Sequence, residues 1–275
     1  MPQTPPTDAA PRTAMGVRRF GRINWLGVQT LYLREVQRFL AVGSQTVLAP
    51  VATSALFMLV FTLAFADRRD SPGDLPFEQF LAPGILMMTV IQNAFANTSS
   101  SVTIAKVQGN IVDTLMPPLS AGELLVGYVL GGMTRGLLCA LVIGVAVFPV
   151  VGLAIAHPGA ALGFALLGSM LLAALGLLAG IWAQRFDALA AVTNFLITPL
   201  SFLSGTFYSI SVLPEPFLTI SLANPFFYMI DGFRWAVLGT GDANPWVGAA
   251  VLVAANGGAL WLAHDWLRRG YRLKS

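Results

Sequence analysis

Residues 39–66 carry no charged side chain, and neither do 79–105, 188–214 or 243–264. A further uncharged stretch, 136–184, is interrupted by His157-Pro158-Gly159, a turn signal that divides it in two. A helix needs about 20 apolar residues to cross a bilayer, and lipid offers no water to its backbone polar groups. The runs therefore predict six membrane-spanning helices in an all-α membrane protein. Composition agrees, because 11% of the 275 residues are charged, against about 25% in a soluble domain.

Lys and Arg accumulate in short cytoplasmic segments, so their distribution predicts orientation. With both termini in the cytoplasm, 13 of the 16 basic residues fall inside and 3 outside. That count places Lys106 and Arg135 in the cytoplasmic connection between the second and third spans. Residues 1–16 read as a disordered cytoplasmic lead, with nothing resembling a cleaved signal. Residues 17–40 mix charges with Phe20, Ile23, Trp25, Leu26, Leu31, Leu33, Val36 and Phe39, which suits an amphipathic helix at the membrane surface. The alternative is a first span that extends into the cytoplasm. Arg34, Glu35 and Arg38 within it are expected to form local ion pairs of a few tenths of a kcal/mol. The six-span domain then occupies 41–266, and 267–275 is a basic cytoplasmic tail.

Between the second and third spans lies AKVQGNIVDTLMPPLSAGE, residues 105–123. Ile111, Val112, Leu115 and Met116 recur at helical spacing, Asp113 faces another way, and Pro117-Pro118 stops the pattern. This predicts a short amphipathic cytoplasmic helix, either a loop resting on headgroups or a docking element. Small residues four apart, at Gly127 and Gly131, Gly132 and Gly136, and Gly176 and Gly180, predict close helix approach without saying which helices meet.

After the fifth span, roughly 30 residues are too apolar for a solvated loop yet contain Pro214, Pro216 and Pro225. A pair of short external re-entrant or surface-lying helices fits. Tyr208, Phe226, Phe227, Tyr228, Trp235 and Trp246 suit the interfacial aromatic zone. Within the second of these helices, behind Asn224-Pro225, Asp231 and Arg234 stand three residues apart on one face. A structural ion pair anchoring this outer cap is favoured over direct contact with a transported molecule.

Several chemistries lack their residues. The only lysines, Lys106 and Lys274, follow Ala105 and Leu273, so neither belongs to a GxxxxGK[ST] phosphate loop, and any ATP chemistry must lie on another chain. His157 and His264 are too few and too separated for a His-only metal site, and the lone Cys139 supports no disulfide or thiolate cluster. Ser204-Gly205 suggests an intramembrane hydrolase, but Phe202 stands where a rhomboid-type site needs glycine, and His264 belongs near the opposite face. Acids deep in the spans would mark ion coupling. Asp67, Asp70, Asp74 and Glu78 instead cluster in the first external loop, which disfavours a secondary transporter or channel. There is no nucleic-acid signature, and the positive flank points to anionic lipid or a cytoplasmic partner.

Taken together, FLAPGILMMTVIQNAFANTSSSV, AKVQGNIVDTLMPPLS, GYVLGGMTRG, FLITPLSFLSGTFYSISVLPEPF and NPFFYMIDGFRWAVLG resemble the ABC-2 type transport permeases over residues 29–268. The nearest subgroup is the bacterial inner-membrane YadH type. The resemblance implies an exporter subunit in the bacterial inner membrane that forms a homodimer and pairs with two ATP-binding subunits. ATP and Mg would sit on those partners, with no cofactor in this chain. Cargo in the wider family includes saccharides, lipid-linked compounds and drugs. By the same resemblance, Lys106, Asn110, Asp113, Leu115 and Pro117 would belong to a coupling helix that contacts the ATPase. Arg34, Glu35 and Arg38 would transmit its movement. Pro214, Asn224, Pro225, Asp231 and Arg234 would belong to the external cap, and Gly127, Gly131, Gly132 and Gly136 to helix packing.

Overall fold

The computed structural model describes residues 23–64 and 76–273. The expected disordered lead, the start of the 17–40 segment, most of the acidic first loop and Lys274 lie outside the described residues. The described residues are helical, with no strand among them.

The elements run α1 (Trp25–Leu40), α2 (Ser44–Ala64), α3 (Phe77–Val107), α4 (Ile111–Leu115), α5 (Ala121–Val151), α6 (Pro158–Trp182), α7 (Phe186–Leu203), α8 (Phe217–Ala223), α9 (Pro225–Leu238) and α10 (Pro245–Arg269). Six of them, α2, α3, α5, α6, α7 and α10, are long and apolar enough to span a membrane. The expected break at His157-Pro158-Gly159 falls between α5 and α6, where Gly152 takes a left-handed cap and Pro158 opens the next helix. The fifth span stops at Leu203, short of the predicted 214, because the chain turns at Ser204-Gly205, with Gly205 at φ +73°.

Helices α3 and α6 are buried along most of their length, whereas α2 and α7 stay largely exposed at the periphery. Small residues explain how α3 and α6 come so close. Gly176 of α6 lies against the Phe95 carbonyl, a Cβ on Gly180 would sit 2.9 Å from the Ser99 carbonyl oxygen, and Thr98 Oγ1 donates to the Ala173 carbonyl at 2.8 Å. The overlapping glycine pairs of α5 face two ways. Added Cβ atoms on Gly127 and Gly131 would lie 2.6 Å from Leu31 Cδ2 and Glu35 Cβ of α1. On Gly132 and Gly136 they would lie 2.8 Å from Thr98 Cγ2 and 3.0 Å from the Val90 carbonyl oxygen of α3. Without side chains, α5 can touch both neighbours along one stretch, as lipid-embedded packing requires.

Two short helices, α8 and α9, follow α7. Asn224 caps α9 by accepting from Phe226 N at 3.0 Å, and its amide donates to Leu200 O at 3.1 Å and Ser204 Oγ at 2.8 Å. Pro225 occupies the first turn of α9, and the Pro214 carbonyl accepts from Phe217 N at 3.0 Å to start α8. Helix α9 is not surface-lying. It packs among α3, α6 and α10, with Phe226 and Phe227 fully buried rather than in an aromatic belt.

The expected Asp231–Arg234 ion pair is absent. Both side chains are 2% exposed, yet the ion pairs among the described residues lie elsewhere. Asp231 accepts from Asp242 N at 2.8 Å and Ala243 N at 2.9 Å, which fastens the turn into α10. Arg234 donates to Gly205 O at 2.7 Å and Thr206 O at 3.3 Å, and lies 4.0 Å over the Phe80 ring. Backbone groups meet each charge more closely than the opposite charge does.

Candidate functional site

Where α3 leaves the bundle, Gly109 takes φ +76° and turns the chain into α4. Pro117 and Pro118 then end this elbow, and Ser120 opens α5 through a capping box with Glu123. The Glu123 carboxylate accepts from Ser120 N at 2.6 Å and from Asn24 N at 2.5 Å, so the start of α1 is pinned to the start of α5. Asn24 also caps α1 through Gly27 N at 3.0 Å and donates to the Pro118 carbonyl at 3.3 Å.

Helix α1 buries Val28, Leu31, Glu35 and Phe39, spaced three or four apart, against the bundle. Its other side exposes Trp25, Leu26, Leu33 and Leu40. Glu35 is 0% exposed, so its contacts are not the weak surface pairs the sequence suggests. Its carboxylate accepts from Ser101 Oγ at 2.7 Å, Arg38 Nη2 at 3.2 Å and Arg34 Nη2 at 3.3 Å. Arg38 continues to Asn97 on α3, reaching its carbonyl at 2.8 Å and side-chain oxygen at 3.0 Å. Arg34 continues to Thr114 Oγ1 on α4 at 2.8 Å and Tyr128 OH on α5 at 3.3 Å. Burial alone would lower the Arg34 pKa, but Tyr128 and the Glu35 carboxylate outweigh it and leave the guanidinium above its usual value. One buried carboxylate thereby joins four helices through two arginines.

The other candidates divide between two surfaces. Asn110, Asp113 and Pro117 are exposed on the outer side of the elbow, where the Asp113 carboxylate has no polar partner among the described residues. The inward face of α4 is Ile111 and Thr114 with Leu115 half-buried. Val112 and Met116 do not join it as expected. They are 53% and 75% exposed, because α4 is one short turn and presents little width to the bundle. Lys106 points away from this surface, with Nζ donating to the Gly180, Ile181 and Ala183 carbonyls at 3.3, 2.6 and 2.6 Å, where it caps the end of α6. Arg135 is not in the connecting loop. It sits near the middle of α5 and donates to Asn93 Oδ1 at 3.2 Å.

Asn24, Asn97, Ser101, Thr114, Glu123 and Tyr128 were not singled out in the sequence. The Ser120-Ala121-Gly122-Glu123 capping signature was legible and marks the start of α5. The others were not, since nothing local announces a partner many tens of residues away. Among the described residues no group of acids, histidines and cysteine could hold a metal ion. Ser204 is fully buried, donates to Leu200 O and accepts from Asn224. The arrangement is an exposed elbow with an apolar and acidic surface, tied by charge-assisted bonds to the central helix.

Residues 27–238 match the family model described as "ABC-2 type transporter". The chain is 34% identical over 252 residues to "Inner membrane transport permease YadH" of Escherichia coli strain K12, covering 91% of this chain and 98% of that one. The proteins of the same name from Escherichia coli O157:H7 and Shigella flexneri match to the same extent.

Proposed function

Because this chain belongs to the ABC-2 type transporter family and is a membrane permease subunit of an ABC transporter, we propose that it works in export. Its cargo would be an amphipathic, lipid-linked, saccharide or drug-like compound taken from the cytoplasm or inner leaflet. Two copies would face one another with two ATP-binding subunits beneath, both chain termini in the cytoplasm, and the cargo path between the two permeases. ATP and Mg would be handled by the partner chains.

The single observation that carries the proposal is the Arg34–Glu35 junction, which ties the exposed elbow α4 to the central helix α3. The energy for a conformational switch must come from differential binding at the partner. The α4 surface formed by Val112, Asp113 and Met116 is open to such a partner. Arg34 passes displacement of Thr114 to Glu35, and Glu35 passes it to Ser101 and, through Arg38, to Asn97. Asp231 and Arg234 would hold the outer cap rigid while the bundle reorients.

Reconstitution with the ATP-binding subunit tests the reading. Intact permease should stimulate ATP hydrolysis, and a version with residues 106–118 scrambled should not. Equal stimulation by both would remove α4 from the coupling role. Export is tested separately by comparing envelope lipids and saccharides in cells with active and ATPase-inactive partners. Unchanged distribution across the membrane would contradict it.

A further inference from the structure

Beside the elbow, on the side away from Asp113, a cavity opens between the ends of α3 and α6, the start of α7 and the turn after α10. Lys106, Arg185 and Arg272 line it, together with Gln184 and the apolar Val112 and Met116, and no Asp or Glu is among the described lining residues. The ammonium donors of Lys106 are occupied by the α6 carbonyls, so this residue contributes fixed charge. The two guanidiniums supply open donors. Among the described residues Arg185 has no side-chain hydrogen bond or ion pair, and Arg272 donates once, from Nη1 to Trp182 O at 3.2 Å.

Arg272 is held there by the backbone. It takes φ +51°, left-handed space that non-glycine residues seldom enter, and the following Leu273 is 3% exposed in an apolar cluster with Leu177, Ile181 and Leu267. The turn thereby folds the chain end under α6 and sets Arg272 with its guanidinium carbon 5.8 Å and 5.5 Å from the ring centroids of Trp182 and Tyr271.

We propose that this cavity binds the phosphodiester headgroup of an anionic phospholipid. Depth supports a lipid. The 25 residues of α6 extend about 37 Å against a hydrocarbon core of about 30 Å, so its end lies at headgroup level. Trp182 and Tyr271 bracket the site as interfacial aromatics do. Basic pockets between span ends are suited to such headgroups. Bound lipid would brace α4 against the end of α6, and so set the stiffness of the proposed coupling element.

The test is native mass spectrometry of the full-length permease in neutral detergent, with phosphatidylglycerol and phosphatidylcholine of matched chains. This measurement needs neither the ATPase nor transport, so its failure leaves the export reading standing, and failure of that reading leaves the site standing. Phosphatidylglycerol should be retained preferentially. Arg185→Gln should weaken that preference about fivefold and the Arg185→Gln/Arg272→Gln variant about thirtyfold. Arg185→Lys/Arg272→Lys should restore most of it, with thermal unfolding measured alongside. Arg185 has no side-chain hydrogen bond or ion pair among the described residues, so its single variant reads binding with little disturbance of the fold. Equal retention of the two lipids, an unchanged preference in the glutamine variants, or displacement by equimolar soluble glycerol phosphate would overturn the lipid site.

Discussion

The guanidinium of Arg34 donates to the hydroxyl of Thr114 across 2.8 Å and to the buried carboxylate of Glu35 at 3.3 Å. A residue of the first helix thus holds the elbow with one nitrogen and the core with the other. A charge-assisted hydrogen bond contributes about 1.5–3 kcal/mol. If Arg34 and Thr114 act as one linkage, Thr114→Val and Arg34→Gln should each reduce permease-stimulated ATP hydrolysis, and the double variant should be little worse than Arg34→Gln alone. A double-mutant cycle of stimulated rates measures this, with a coupling energy of about 1 kcal/mol expected.

Glu35 compensates two arginines, so its removal acts on stability before function. Glu35→Ala should destabilise the bundle by about 1–3 kcal/mol, because it removes the buried acceptor of Ser101, Arg34 and Arg38, whose partly exposed guanidiniums water can then reach. Glu35→Gln keeps an acceptor for Ser101 or one arginine and should lose less. Thermal unfolding in detergent, followed by the near-ultraviolet signal, separates the two.

Gly131 is a test of how α1 sits. A Cβ there would come within 2.6 Å of Glu35 Cβ, whereas at Gly163 it would meet nothing within 4 Å. Gly131→Ala should cost about 1–3 kcal/mol through overpacking and should shift α1. Gly163→Ala should be neutral or slightly stabilising by helix propensity. Melting temperatures of the pair should diverge accordingly.

Asp231 and Arg234 have separate backbone partners, so exchanging them should not restore what either loses. Asp231→Arg/Arg234→Asp should express and melt no better than Asp231→Ala or Arg234→Ala. Truncating a fully buried, hydrogen-bonded guanidinium should cost about 2–4 kcal/mol. A rescued exchange variant would restore the ion-pair explanation.

The six spans were legible because lipid imposes a length and a near-absence of charge that few other folds impose. The glycine spacing announced close packing, but only the third dimension showed that Gly127 and Gly131 serve α1 while Gly132 and Gly136 serve α3. The elbow at 108–118 was marked by its prolines, yet its inward face was misread, since Met116 matches the helical period and still faces outward. Asp231 and Arg234 invited pairing because sequence displays side chains and hides backbone donors and acceptors. Their partners, at Gly205 and Asp242, became neighbours only when the chain turned back. Glu35 looked like a surface charge for the same reason: burial on an amphipathic helix depends on what packs against it.

If α4 meets the ATP-binding subunit as proposed, a photoactivatable amino acid at Met116 should capture that subunit in cells co-expressing both, with one at Trp246, exposed at the start of α10, for comparison. Crosslinking to the ATP-binding subunit from position 116 and none from 246 is the expected result. Crosslinking from 246 alone would contradict both the elbow's role and the orientation of the bundle.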